Sequence, residues 1–256
     1  MIWVALPIHD EQHTAGPLLW RLRQVFGEAG EDYHVLALDD GSTDGTADAL
    51  EPYTRVMPLT VLRHERRRGF GPSLERLIRE AVRRSDYPRR DGLLVMQADF
   101  TDAPEAIPEL LRRFQGGSDL VIGCPTVCEG APRAVRAGRR GAGLLTRSLP
   151  RLEGIDDLVS GFRLYRLVVL RKALAELAEG EPLVRRDGWA AHLELLAAVT
   201  PHVRRSDEVE FTSRYTCRYR RSRFRTLPAL WSLFLATRAA RRSGAGGTPQ
   251  AAGGGA

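Results

Sequence analysis

Five apolar runs of four to seven residues, each separated from the next by a single helix-length stretch, fill the first half of the chain. Ile2–Ile8 opens the series, and 33–38, 59–62, 93–96 and 119–123 follow. Between them, 14–26 reads as a helix and a second begins near Thr46. Phe70, Leu74, Leu77, Ile78, Ala81 and Val82 then recur at helical spacing and give one buried face. Short strands alternating with single helices specify an α/β fold built on a parallel, doubly wound sheet. Sheets of this kind bind ligands beyond the carboxyl ends of their strands. Asp39, Asp40 and Asp99 fall at those ends.

Asp39 and Asp40 stand side by side in LDDGSTDGT. Two like charges at the end of a buried strand cost stability unless something pairs with them, so a ligand, a metal or a basic neighbour is implied. Gly41 supplies a backbone conformation that other residues resist, and Ser42, Thr43 and Asp44 suit the N-cap of the next helix. Capping explains 42–46. It leaves the acidic pair to a second role, and a carboxylate exposed at a strand end can accept hydrogen bonds from a nucleobase or a ribose.

At the end of the fourth strand comes Gln97-Ala98-Asp99-Phe100-Thr101-Asp102. Alternate residues of an extended segment point the same way, so Gln97, Asp99 and Thr101 are expected to offer oxygens to one hard cation. Mg²⁺ or Mn²⁺ held with a diphosphate suits such a site, because these ions take few protein carboxylates. Asp102, followed by Pro104 and Glu105, reads as a capping-box helix start.

The second half is less regular. Residues 125–140, rich in Arg, Gly and Ala, read as a mobile loop; Leu167, Leu170, Leu174 and Leu177 mark one helix and 189–199 another. Residues 214–225 interleave arginines with Tyr215, Tyr219 and Phe224. The apolar segment 227–236 then leads into Arg238, Arg241 and Arg242, which suits either an anionic membrane surface or a terminal helix docked on the domain. Residues 243–256 read as a disordered tail. The formal charge of +6 is carried almost wholly by arginine and reads mainly as a solvated surface, and nucleic-acid binding is not expected. Three cysteines are too few for a disulfide framework. The chain has no stretch of ~18 apolar residues, Ile2–Ile8 reads as a strand rather than a leader, and a cytoplasmic location is expected, peripheral to a membrane if 227–236 docks there.

LDDGSTDGT, then MQADFTDAPE, then DLVSGFRLYR, in this order and at these spacings, resemble the family 2 glycosyltransferases of GT-A fold. The likeness runs from Ile2 to about residue 225 and is strongest to the polyprenyl-phosphate (dolichol-phosphate) mannosyltransferase branch. It implies a glycosyltransferase domain over 1–225, with a nucleotide-sugar half (1–124) and an acceptor half (125–225), then an amphipathic helix over 226–242. By resemblance, Pro7, His9 and Glu11 touch the nucleotide, as does Asp40 beside Asp39, with Gln97 nearby. Asp99, with Thr101, holds Mg²⁺ or Mn²⁺ against the diphosphate, and Arg218 and Arg223 grip phosphates. Asp157, Ser160, Gly161, Phe162, Arg163 and Tyr165 shape the acceptor side, with Asp157, Glu194 and Arg163 as catalytic candidates.

The sequence departs from the family pattern where Gln97 replaces the first aspartate of Asp-x-Asp, Thr101 replaces a frequent glutamine, and Cys124-Pro125 stands where relatives carry arginine. The implied reaction moves a sugar from GDP-mannose or a UDP-sugar to a polyprenyl phosphate or another small acceptor, with inversion. A phosphate acceptor needs little deprotonation, whereas an alcohol needs a general base. The alternative is a non-catalytic relative that binds a nucleotide sugar or scaffolds a partner.

Overall fold

The computed structural model describes residues 1–146, 155–217 and 226–244. Its centre is a seven-stranded sheet of order β3-β2-β1-β4-β6-β5-β7. The strands are β1 (Ile2–Ile8), β2 (Tyr33–Asp40), β3 (Leu59–His64), β4 (Gly92–Val95), β5 (Leu120–Glu129), β6 (Arg163–Arg166) and β7 (Ser206–Arg214). Neighbouring strands pair in parallel except β6, which runs antiparallel between β4 and β5. The sheet is therefore mostly parallel, and it matches the α/β class read from the alternation.

Both faces are covered, as a parallel sheet requires. On one face Val4, Leu6, Val35 and Leu94 pack with α1 (Ala15–Ala29) and α4 (Ile107–Gln115). On the other, Trp3, Ala5, Leu36 and Leu93 pack with α3 (Phe70–Arg84), α6 (Leu167–Ala175) and α7 (Gly188–Val199). A short α2 (Thr46–Leu50) follows the acidic turn, and α8 (Thr226–Gly244) lies against α5 (Arg133–Thr146) and α7. Along β1, alternate residues enter opposite cores, so a continuous apolar run serves both.

Four sequence expectations change. Residues 125–140 are not a loop: β5 continues to Glu129 by pairing with β7, with an irregularity between Pro125 and Val127, and α5 starts at Arg133. Helix α5 buries Val135, Gly138, Ala142 and Thr146 beneath its arginines, a stripe of small residues that reads weakly as an apolar face. Asp102 caps no helix, because Ala103 precedes the 3₁₀ turn Pro104–Ala106 and no side-chain cap bond forms. Helix α2 is preceded by Gly45, and Asp44 instead accepts from the Thr46 amide at 3.0 Å. Of the tail expected over 243–256, residues 243 and 244 instead belong to α8, and the remainder, with Arg218, Tyr219, Arg223 and Phe224, lies outside the described residues.

Candidate active site

The carboxyl ends of β1, β2 and β4 meet the loops of the second half around a cavity of about 390 Å³. One wall is a pair of interlocked loops. The amides of Asp10 and Glu11 donate to Ser42 Oγ (2.9 Å) and Thr46 Oγ1 (2.8 Å), and that of Gly45 donates to Gln12 Oε1 (2.8 Å). The DDGSTDGT turn thus braces the loop after β1. Gly41 sits at φ 62°, and a Cβ there would fall 2.5 Å from the Arg67 nitrogen, so the loop after β3 can close over this turn only on a glycine.

The acidic pair is buried rather than exposed: Asp39 is 1% and Asp40 4% accessible. Asp39 accepts from the Ser42 amide at 2.9 Å and pairs with Arg63 at 3.4 Å. Asp40 accepts from His64 Nδ1 (2.7 Å) and from the amides of Arg68 and Gly69 (both 2.8 Å). Burial pushes the Asp40 carboxyl up, but the bonds from His64, Arg68 and Gly69 outweigh it and leave its pKa below the ordinary carboxylate value. The partners of both carboxylates include basic neighbours of this chain. Asp40 still borders the cavity with Pro7 and His9, whose Nδ1 lies 2.9 Å from the Asp40 carbonyl. Asp39 is not among the lining residues, and neither is Glu11, which accepts from Thr14 Oγ1 at 2.7 Å.

Opposite stands the turn after β4. Phe100 adopts a left-handed φ of 62°, unfavourable for an aromatic residue. The turn brings both Asp99 and Asp102 to the cavity. Thr101 holds Asp99 Oδ1 through its amide (3.1 Å) and hydroxyl (2.5 Å), and Asp102 accepts from the Gln97 amide at 2.8 Å. Burial, with the Asp99 charge adding, pushes the Asp102 carboxyl up to about 7. Gln97 and Thr101 also line the cavity.

In the second half of the chain, Asp157 accepts from the amides of Val159 and Ser160 (both 2.9 Å) and pairs with Arg139. It shapes the turn that presents Ser160 and Gly161 to the cavity but is not itself a lining residue. Arg163, wholly buried, donates to the carbonyls of Leu158 and His192, both at 2.8 Å. Glu194 accepts from the Arg185 (2.8 Å) and Arg186 (2.9 Å) amides and pairs with the Arg186 side chain. Asp157, Arg163 and Glu194 thus hold the cavity wall from behind, as do Phe162 and Tyr165.

The cavity also gathers Arg67, Arg139, Asp187 and His192, which sequence reasoning did not single out, and Asp102, which it read as a helix cap. Asp187 Oδ1 accepts from the Gly71 amide at 2.6 Å. A Cβ on Gly71 would meet the Arg186 carbonyl at 2.3 Å, so the RRGFG stretch at 67–71 is glycine-rich to let these loops touch. That stretch, and the Asp-Gly step before α7, were the available signals. Cys124 borders this region on β5; burial and the Asp157 and Glu208 carboxylates push its thiol up to about 12, so it stays protonated.

The family model "Glycosyl transferase family 2" matches residues 3–174. The dolichol-phosphate mannosyltransferase of Pyrococcus furiosus is 29% identical over 198 residues, covering 75% of this chain and 51% of the relative. The polyprenol monophosphomannose synthase of Mycolicibacterium smegmatis is 29% identical over 178 residues, covering 66% and 63%. The chain therefore spans between half and two thirds of the length of these curated relatives. Among solved structures, glucosyl-3-phosphoglycerate synthase from Mycobacterium tuberculosis, in complex with Mn²⁺, UDP-glucose and phosphoglyceric acid, superposes with a TM-score of 0.65 at 19% identity, covering 98% and 81%. That likeness extends the fold over nearly the whole chain, and the matched model identifies the chain as a member of glycosyl transferase family 2.

Proposed function

We propose that this chain transfers a sugar from a nucleoside diphosphate sugar, GDP-mannose or a UDP-sugar, to a polyprenyl phosphate or another small acceptor, with inversion at the anomeric carbon. The observation that carries this reading is one cavity joining Pro7, His9 and Asp40 to the Asp99–Asp102 turn and to two arginines, Arg67 and Arg139. Arg67 and Arg139 stabilise negative charge developing on the departing diphosphate. Helix α3 starts at Phe70 on the cavity wall, and the anion that its amino-terminal dipole holds is the Asp187 carboxylate, bonded to the Gly71 amide. Arg218 and Arg223, proposed from the resemblance as further phosphate contacts, lie outside the described residues.

Asp99 and Asp102 fit Mg²⁺ or Mn²⁺. Two buried carboxylates face one cavity, and the charge of Asp99 helps push the Asp102 carboxyl up to about 7, a charge conflict that a dication relieves. Thr101 orients Asp99, which with Asp102 would hold an ion that takes few protein carboxylates. Bound there, the ion supplies charge neutralisation on the diphosphate. A second carboxylate at Asp102 stands in for the one lost at Gln97, which favours a working site over a non-catalytic relative.

A phosphate acceptor brings its own nucleophilic oxygen and needs little deprotonation. For an alcohol acceptor, Asp187 is the carboxylate on the acceptor-half wall, held by the Gly71 amide. The rest of the assignment gives Asp157, Arg163 and Glu194 the work of positioning. A lipid acceptor also gives meaning to the outer face of α8, where Leu227, Trp231 and Phe234 are exposed along one stripe that ends at Arg238. Helices α5 and α8 wall the cavity through Arg139 and Ala229, so a membrane on their outer faces lies near the acceptor's entrance.

Calorimetric titration with GDP-mannose, UDP-glucose and the free nucleotides, with and without Mg²⁺ or Mn²⁺, tests the reading. Metal-dependent binding of one nucleotide sugar, followed by turnover with polyprenyl phosphate, is expected. Absence of binding by folded protein overturns it in favour of the scaffold alternative.

A further inference from the structure

His192 is the cavity-lining side chain that the proposed chemistry leaves unused. It projects from α7, is 4% accessible, and borders the cavity beside Gly161, Phe70 and Trp189. The Phe70 ring meets it edge-on at 5.0 Å between centroids. A Cβ on Gly161 would fall 2.4 Å from His192 Nε2, so the absent side chain of Gly161 provides the room for the imidazole. No described residue hydrogen-bonds either ring nitrogen, and the residue lines the cavity. A nearly buried polar ring without a protein partner is costly, and natural sites keep one chiefly where a ligand or water completes it.

The charge state narrows the ligand. Burial, with the Arg163 guanidinium behind the ring, lowers the imidazole pKa to about 3, so His192 is neutral across the physiological range. Arg163 is fixed there by the carbonyls of His192 itself and Leu158 and by the Tyr165 hydroxyl at 3.2 Å. A neutral imidazole offers one N–H donor and one acceptor nitrogen. A phosphate, all acceptor, uses only half of that pair and is better served by Arg67 and Arg139. A hydroxyl group both donates and accepts, and the C–H faces of a sugar suit the neighbouring Phe70 and Trp189 rings.

We infer that His192 is a specificity-determining residue that hydrogen-bonds a hydroxyl of the sugar being transferred. The inference rests on the nucleotide-sugar reading of the cavity and deepens it, since neither the resemblance nor the proposed mechanism gives this position a role. Arg163 becomes a positioning residue with a stated effect: it holds the carbonyl of His192, and its charge adds to the burial that keeps the ring neutral.

The test compares wild type with His192→Phe, which keeps the ring's bulk but no hydrogen bond, and with His192→Gln, which restores a donor and an acceptor. Each is titrated with UDP and UDP-glucose, and with GDP and GDP-mannose, in Mg²⁺. Expected for His192→Phe is a loss of about 3- to 10-fold for whichever nucleotide sugar the wild type binds, with affinity for its bare nucleotide unchanged, and partial recovery in His192→Gln. Equal affinity of His192→Phe and wild type for the nucleotide sugar overturns the inference. Equal losses for sugar nucleotide and bare nucleotide also overturn it, because they mark a structural role or a contact to ribose. If His192→Phe does not fold, the comparison passes to His192→Gln and His192→Ala: selective weakening in the alanine variant supports the inference, and equality overturns it. A wild type that binds nucleotides but no nucleotide sugar instead overturns the donor reading itself.

Discussion

His64 and Asp40 face each other as register partners at the ends of adjacent parallel strands, with His64 Nδ1 2.7 Å from the carboxylate. Asp40 also accepts the amides of Arg68 and Gly69, so this one carboxylate ties the end of β2 to the loop that follows β3. Asp40→Asn therefore costs about 1–3 kcal/mol at pH 7, since it leaves buried donors poorly matched. The folded carboxyl titrates below its ordinary value of 3.8. Its stabilisation is thus fully present above that pH and is lost as pH falls through the lower folded pKa. Urea denaturation at pH 7 and at successively lower pH checks this. The gap between wild type and variant must narrow in acid, and a constant gap refutes the linkage.

Asp99 and Asp102 are expected to contribute comparably to metal affinity. Electron paramagnetic resonance of Mn²⁺ in the presence of UDP measures this without turnover. Asp99→Asn and Asp102→Asn should each weaken Mn²⁺ binding at least about tenfold. An Asp102→Asn protein that binds Mn²⁺ as wild type does reduces Asp102 to a turn residue bonded to the Gln97 amide.

Glu194 gives a sharp contrast between positioning and catalysis. Its carboxylate accepts two amides and a guanidinium from 185–186, the segment that delivers Asp187 to the cavity. Glu194→Gln should lower stability by about 1–3 kcal/mol through the weakened loop anchor, raise KM and leave a substantial kcat. Thermal denaturation and steady-state kinetics together decide. A collapse of kcat at unchanged Tm would return Glu194 to the role of general base.

The fold was legible wherever burial followed a simple period. β1 to β4 and the α3 face came directly from apolar runs and helical spacing, because most of their buried positions are apolar, with Asp39, Asp40, His64 and Ser73 as the buried polar exceptions. Strand β6 did not, since its four residues include Arg163, whose buried charge is met by the backbone carbonyls of nearby Leu158 and of His192 on α7. β5 beyond Gly123 exists through pairing with β7, a partner some eighty residues away. The site divides in the same way. Pro7, His9, Asp40, Gln97, Asp99 and Thr101 lie at strand ends, where the topology of a parallel sheet points. Arg139, Asp187 and His192 reach the cavity from helices and loops of the irregular half, and their local sequence does not reveal which face turns inward. Asp157 and Glu194, named from the resemblance, give their oxygens to backbone amides of this chain and to the side chains of Arg139 and Arg186.

The outer stripe of α8 is the last point open to direct test. Leu227 is 80%, Trp231 64% and Phe234 39% accessible, and Leu144 of the adjoining α5 is 72% accessible. Trp231 and Phe234 stack at 5.7 Å between ring centroids. Exposed arginines border the stripe at Arg136 and Arg140 on α5 and Arg238 on α8, so apolar and cationic groups share one surface, as in interfacial helices. No described helix is long and apolar enough to cross a bilayer, and contact at this surface is the arrangement to test. Flotation with vesicles of phosphatidylcholine and phosphatidylglycerol should recover the protein, and recovery should fall with salt because the arginines contribute through a screened attraction. Trp231→Glu combined with Phe234→Glu removes apolar burial worth roughly 2 kcal/mol or more and adds repulsion from anionic lipid. Vesicle affinity should drop at least about tenfold, while Tm and nucleotide-sugar affinity stay unchanged because these side chains face away from the cavity. Vesicle binding equal to wild type would leave the stripe to another partner. A shift from dimer to monomer in the double variant would identify that partner as a second copy of the chain.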